Sequence, residues 1–277
     1  MKNIHQTKFL SPRSQHGLTL VEMMVALLIG LILMWGIAQV FISNRQTYAS
    51  VEGAARLQEN GQYALNFITR QIRQAGYYPN PYFTPYSTSE HEQTAFGATP
   101  ALQGIEGGTS TPDGITVAYY TTNSDCVGNG FPLNGSAGGQ ATTKAAEAAQ
   151  IAVNAITIGN GAAGRPSLLC NGVEVAEGIE NMQIRYGIDT DSDSLVDKYV
   201  PFSASLDMTT VLTVRVALLV STVQEISTNK DTKPYDLLGT SIGPLNDGRM
   251  HRIYTTTIKL QDRCTHIPVT LGSSPCA

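Results

Sequence analysis

The run from Met23 to Ile42 carries no charge, and Gln39 is its one strongly polar member. At ~1.5 Å rise per residue, a helix of ~20 residues spans ~30 Å, the thickness of a bilayer core. A soluble core helix of this length would show a polar face, and this one shows none. Lys2, Lys8 and Arg13 precede the run, and Arg45 is the first basic residue after it. The positive-inside tendency therefore predicts a single pass with a cytoplasmic amino terminus and the rest of the chain outside. Glu22 is the exception inside this pattern. A lone carboxylate entering lipid costs roughly 2.5–3.5 kcal/mol, so it either snorkels to the interface or has a partner.

Gly17 lies immediately before the apolar run, in Ser14-Gln15-His16-Gly17-Leu18-Thr19-Leu20-Val21-Glu22. A secretory signal places its small-residue cleavage site after the apolar part. Cutting the Gly17–Leu18 bond would instead remove a basic leader and leave the apolar segment on the mature chain. This arrangement resembles the class III signal of type IV prepilins and type II secretion pseudopilins. The resemblance implies processing after Gly17 by a prepilin peptidase and N-methylation at Leu18, where phenylalanine is the commoner residue. It also makes Glu22 the fifth mature residue, paired with the free α-amino group of a neighbouring subunit. Opposite charges in low dielectric strongly prefer such a bonded geometry to separate burial.

Of 18 basic residues, three precede Gly17, which leaves 15 against 22 acidic ones in a processed chain. That balance disfavours direct nucleic-acid binding through a basic surface. The four cysteines Cys126, Cys170, Cys264 and Cys276 all follow the apolar run, on the side expected to be oxidising. Three connectivities are possible. The short Cys264–Cys276 separation favours a local loop, leaving Cys126 with Cys170, and no spacing matches a CxxC zinc pattern.

Beyond the apolar run, Ala54, Leu57, Gly61, Ala64, Ile68, Ile72 and Ala75 recur at spacings of three and four. They predict an amphipathic continuation of the same helix, ended by Gly76 and Pro79. Residues 77–112 read as surface loop. Residues 128–150 read as a Gly/Ala-rich loop with a short helix over Thr143–Gln150. Strands are predicted at Gly114–Tyr120, Ala155–Ile158, Ser167–Cys170, Val173–Val175, Met182–Ile188, Thr210–Thr222 and Arg252–Leu260. Asn171-Gly172 is a hairpin turn. The fold class is α+β: a leader (1–17), a long amino-terminal helix (18–76, with 18–42 the membrane and assembly segment), and a strand-rich, mainly antiparallel domain (77–277).

Ser167–Gly172, Val175–Gly187, Asp189–Asp193 and Arg252–Leu260 look like the PilW group of type IV minor pilins. The likeness covers the helix and much of residues 167–264. It implies a pilin-like fold and a place in a minor-pilin complex that primes pilus assembly. The implied partners are other minor pilins, the major pilin, the prepilin peptidase and a large tip adhesin.

Asp189, Asp191, Asp193 and Asp197 stand at positions 1, 3, 5 and 9 of an EF-hand-like loop, with the Leu195 carbonyl at position 7. Ser194 replaces the usual glycine and Val200 the bidentate glutamate. The expectation is a weak Ca²⁺ site, set against a solvated acidic turn. Gly239-Thr240-Ser241-Ile242-Gly243 matches G-x-S-x-G, but Pro244 stands where the following helix should begin. Gly159–Gly164 matches G-x-G-x-x-G, yet Arg165-Pro166 and another strand follow. His5, His16, His91, His251 and His266 form no HExxH or paired spacing, and Trp35 reads as a packing or lipid contact. No convergent acid, base and nucleophile set is visible, so a structural subunit is favoured over an enzyme. The rival readings are a J-type secretion pseudopilin and a tip-displayed binding module.

Overall fold

The apolar run and the small-residue stripe become one helix, α1 (Leu20–Arg73). It continues unbroken through Gly30, Gly36 and Gly53. Gly76, at φ 78°, takes the left-handed conformation that ends the helical turn at little cost to a residue without Cβ. The computed structural model describes residues 17, 19–77, 100–108, 111–121, 124–128, 150–227 and 229–260. The chain divides into two units, Met1–Ala49 and Ser50–Ala277.

In the first unit, every described side chain of α1 is exposed. An 18-residue window has mean hydropathy 2.5, so the helix is long and apolar enough to cross a membrane. In the second unit, Leu57, Ala64, Leu65, Phe67, Ile68 and Ile72 enter the main hydrophobic core. The predicted stripe is the buried face, with Ala54 half-buried at its start.

Eleven strands continue the chain from there among the described residues, in two larger sheets and one small hairpin. The first sheet is an antiparallel meander of β1 (Leu102–Ile105), β2 (Gly114–Thr121), β3 (Gln150–Asn160), β4 (Pro166–Cys170) and β5 (Val173–Glu177). The second is also antiparallel. It comprises β6 (Ile179–Ile188), β7 (Lys198–Val200), β8 (Val211–Ser221) and β11 (His251–Lys259), in the order β11-β8-β6-β7. The hairpin is β9 (Tyr235–Leu237) and β10 (Thr240–Ile242).

Two differences from the sequence reading have clear causes. Strand β1 lies inside the stretch read as loop. It is short, interrupted by Gly104, and held by its pairing with β2, which no local pattern announces. The alternation of Met182, Ile184, Tyr186 and Ile188 predicts a strand with one buried face, but both faces of β6 are covered. Met182, Ile184, Tyr186 and Ile188 join the core shared with α1. On the other face Gln183 is buried and donates to Thr111 O and Asn181 Oδ1, while Arg185 donates to Thr240 Oγ1 of the hairpin. A second small cluster of Ala217, Leu219, Leu237 and Ile242 fixes the hairpin against β8. The helix expected over Thr143–Gln150 falls outside the described residues, except Gln150, which opens β3.

Candidate functional site

Thr19 and Glu22 organise the start of α1. The Glu22 N–H donates to Thr19 Oγ1 at 3.3 Å, and the Thr19 N–H donates to Glu22 Oε2 at 3.3 Å. The Thr19 hydroxyl also reaches Glu22 Oε2 at 3.3 Å. This is a capping box: two otherwise orphaned helix N–H groups are satisfied reciprocally by a threonine and a glutamate three residues on. The T-x-x-E pattern of Thr19 and Glu22 is the local sequence signal for it. Glu22 therefore has a local role before any partner is considered, and its negative charge suits the positive end of the helix dipole. Gly17 is exposed, with nothing within 4 Å of where a Cβ would stand. Leu18 lies outside the described residues.

The acidic loop between β6 and β7 folds on its own carboxylates. Asp189 is buried and accepts from the N–H groups of Asp191, Ser192 and Ser194 at 3.2, 2.7 and 2.9 Å. Ser192 and Ser194 adopt φ 66° and 69°, the left-handed turns that aim these N–H groups at one side chain. Asp197 Oδ2 accepts from the Thr190 hydroxyl and N–H, which hold its carboxyl below the usual range. Asp191 accepts from the Asp193 N–H, which lowers it. Desolvation and the charges of Asp193, Asp197 and Asp189 outweigh that bond and raise it. Ligand atoms of Asp189, Asp191 and Asp197 come within 4.8 Å of one another. Asp193 instead accepts from the Leu195 N–H at 2.8 Å.

Cys126 and Cys170 form a disulfide with Cα atoms 6.4 Å apart; Cys264 and Cys276 lie outside the described residues. The bond ties the segment after β2 to the end of β4, beside a buried polar network that sequence reading did not foresee. Asn154, fully buried, donates to Gln71 Oε1 of α1 at 2.8 Å and to the Tyr119 hydroxyl at 3.1 Å, while its Oδ1 accepts from the Cys126 N–H. Polar residues at core positions give no periodic signal, so only the fold could pair them.

The two sequence patterns set aside as catalytic decoys sit in hairpins. Ser241 is the middle residue of β10. Gly161 and Gly164 lie in the connection closed by the Asn160–Pro166 pair of β3 and β4. Neither precedes a helix, so no helix amino terminus is available to bind an oxyanion or pyrophosphate.

Residues 156–262 match the family described as Type IV Pilus-assembly protein W (PilW). Residues 12–38 match the prokaryotic N-terminal methylation motif. Among solved structures, a type IV-like pilin from Thermus thermophilus is similar at 12% identity and a TM-score of 0.40, over 75% of this chain and 94% of that one. No curated protein matches.

Proposed function

We propose that this chain, a PilW-type prepilin, serves as a minor structural subunit of a type IV pilus. The observation that carries the reading is the co-occurrence, in one chain, of a prepilin methylation motif over the start of α1 and a PilW-type β domain. On this reading the precursor sits in the inner membrane through the apolar half of α1, amino terminus in the cytoplasm. A prepilin peptidase removes residues 1–17, and the new amino terminus at Leu18 is methylated. Assembly then moves the apolar helix from lipid into a fibre with the major pilin and other minor pilins, in a complex that primes the tip and carries an adhesin.

Glu22 gives this transfer a physical reason. Among the described residues, its carboxylate is satisfied by its own helix end. In a fibre the α-amino group of a neighbour supplies a full opposite charge in a low dielectric, which rewards a single axial register. The role is structural and needs no catalytic residue.

The same reading assigns weak Ca²⁺ binding to the acidic loop, with Asp189, Asp191 and Asp197 as the converging carboxylates, Asp193 and the Leu195 carbonyl completing the set. The loop lacks a bidentate ligand at its last position, which places the affinity at the weak end.

The test of the main reading is recovery of the protein from sheared pili. Mass spectrometry should find a mature chain that begins at methylated Leu18, copurifying with pilus subunits. An intact Met1 in the assembled fraction, or a cut after Ile42, would remove the prepilin mechanism. Copurification with secretion-system components in place of pilus subunits would select the pseudopilin alternative.

A further inference from the structure

His251 opens β11 with its imidazole completely enclosed, at 0% side-chain exposure. Neither ring nitrogen has a well-aligned hydrogen bond, and each is met instead by a carboxylate at ion-pair distance. Leaving two buried polar atoms without such bonds is costly, and native interiors rarely do so without a reason. Both nitrogens face carboxylates. Nδ1 is 3.4 Å from Asp231 Oδ2, and Nε2 is 3.6 Å from Asp247 Oδ2. Ligand atoms of Glu180, Asp247 and His251 lie within 4.8 Å of one another. The three residues come from three places: Glu180 from β6, His251 from β11, and Asp247 from the segment that follows β10.

We infer that Glu180, Asp247 and His251 form a binding site for a divalent transition metal of the zinc class, with Asp231 orienting the histidine from behind. Two ligands bound tetrahedrally at ~2.0–2.1 Å lie ~3.3 Å apart, so the separation of His251 Nε2 from Asp247 Oδ2 needs only a small contraction around an ion. A metal-bound histidine usually donates its other ring N–H to a carboxylate, which sets the tautomer and raises the basicity of the ligating nitrogen. Asp231 is placed to accept that proton. The Tyr235 hydroxyl and the Lys233 N–H donate to its two carboxylate oxygens and fix its orientation.

Charge and backbone agree with this assignment. Arg249 Nη1 donates to Glu180 Oε1 at 2.9 Å, and its Nε is 4.0 Å from Asp247 Oδ2. Ser221 also donates to Glu180 Oε1, at 2.7 Å. Three carboxylates against one guanidinium leave two negative charges, the complement of a divalent cation. The aspartates are held near each other by main-chain bonds, Asp231 N–H to Asp247 O at 2.7 Å and Asn246 N–H to Asp231 O at 2.9 Å. Asp247 keeps 22% side-chain exposure and Asp231 18%, which leaves a way in from solvent. An imidazole in a set this small suits zinc better than calcium or magnesium, which prefer more numerous oxygen ligands. Three protein ligands leave a fourth position for water. A metal here would clasp the excursion from Thr222 to Met250, including the β9–β10 hairpin, onto the edge of the second sheet.

The test uses the full-length chain in detergent micelles, prepared without a polyhistidine tag, and Zn²⁺ as the probe. After gel filtration, one Zn²⁺ per chain should remain bound, and Co²⁺ should give visible d–d absorption typical of four- or five-coordination. His251→Gln should abolish both signals. Asp231→Asn should weaken affinity about 10–100-fold while leaving one site at saturation, as expected for an outer carboxylate. Asp191→Ala should leave Zn²⁺ binding unchanged, which separates this site from the acidic loop. Should His251→Gln fail to fold, Asp247→Asn takes its place with the same expected loss. Absence of Zn²⁺ from the wild-type chain at micromolar concentration, or full retention by folded His251→Gln, overturns the assignment.

Discussion

At the scale of single residues, Gly17 and Glu22 carry the proposed function, and each makes a distinct prediction. Gly17→Val should leave the precursor uncut, visible as a heavier band whose amino terminus is Met1. Glu22→Ala removes one half of the capping box and the proposed partner for the neighbouring amino group. It should still insert and be processed, since losing a carboxylate relieves an insertion penalty, yet be depleted from sheared fibres. Normal incorporation of that variant would leave the capping box as the whole role of Glu22. The acidic loop supplies a third case. Because Asp197 is held below its ordinary value of 3.8 by Thr190, its contribution is fully present above that value and lost as pH falls through the lowered one. Asp197→Asn should flatten the acid limb of stability against pH. Asp191 is raised, so its sign is opposite and its ionised form opposes folding at neutral pH. Asp191→Ala should therefore raise the melting temperature slightly in chelator and erase any gain from millimolar Ca²⁺. Identical wild-type curves in calcium and chelator would reduce the loop to an acidic turn.

At the scale of elements, the contact of α1 with β11 is close enough to test. A Cβ on Gly61 would stand 2.6 Å from the Tyr254 ring. Replacing glycine in a helix gains ~1 kcal/mol of propensity, whereas overpacking a buried contact costs ~1–3 kcal/mol. Gly61→Leu adds several atoms against the ring, so the loss should dominate and urea melting should show a less stable protein. A more stable variant would mean that Tyr254 swings aside freely. The Cys126–Cys170 bond closes a sequence separation of 44. On the chain-entropy model that is worth about 4 kcal/mol, and the paired Cys→Ser variant should melt well below wild type. Turns show how far local signals reach. Asn171-Gly172 was legible because both residues tolerate positive φ, and they adopt 50° and 79°. The equivalent turn between β9 and β10 is Leu238-Gly239, at 54° and 87°. Leucine is not a turn signal, so no local pattern announces this hairpin, which is held by its packing against Ala217 and Leu219.

At the scale of the whole molecule, the chain combines a helix segment whose apolar side chains are all exposed with a β-rich unit that has its own core. Placing Leu20 to Ile42 in water exposes a continuous apolar surface far beyond what soluble proteins carry. In detergent phase separation the full chain should enter the detergent-rich phase, and a chain beginning at Ser50 the aqueous phase. Equal aqueous partition of both would contradict a membrane role for the segment. The shortened chain keeps the helix face of Leu57, Ala64, Ile68 and Ile72 that completes the core, so its unfolding should remain cooperative.

Sequence alone determined what depends on neighbours along the chain. The apolar run, the three-and-four stripe, the β-branched strands and the Asn-Gly turn each follow from spacing, because helix and strand periods are local properties. Only the tertiary structure decided what depends on residues far apart. Gln71, Tyr119 and Asn154 share hydrogen bonds across two strands and a helix. Strand β1 exists because β2 pairs with it. His251 has no informative spacing to Glu180 or Asp231, yet the order β11-β8-β6 and the excursion beyond β8 enclose it among them. Buried polar groups are costly unless partnered, and their partners are set by topology, which local pattern does not encode.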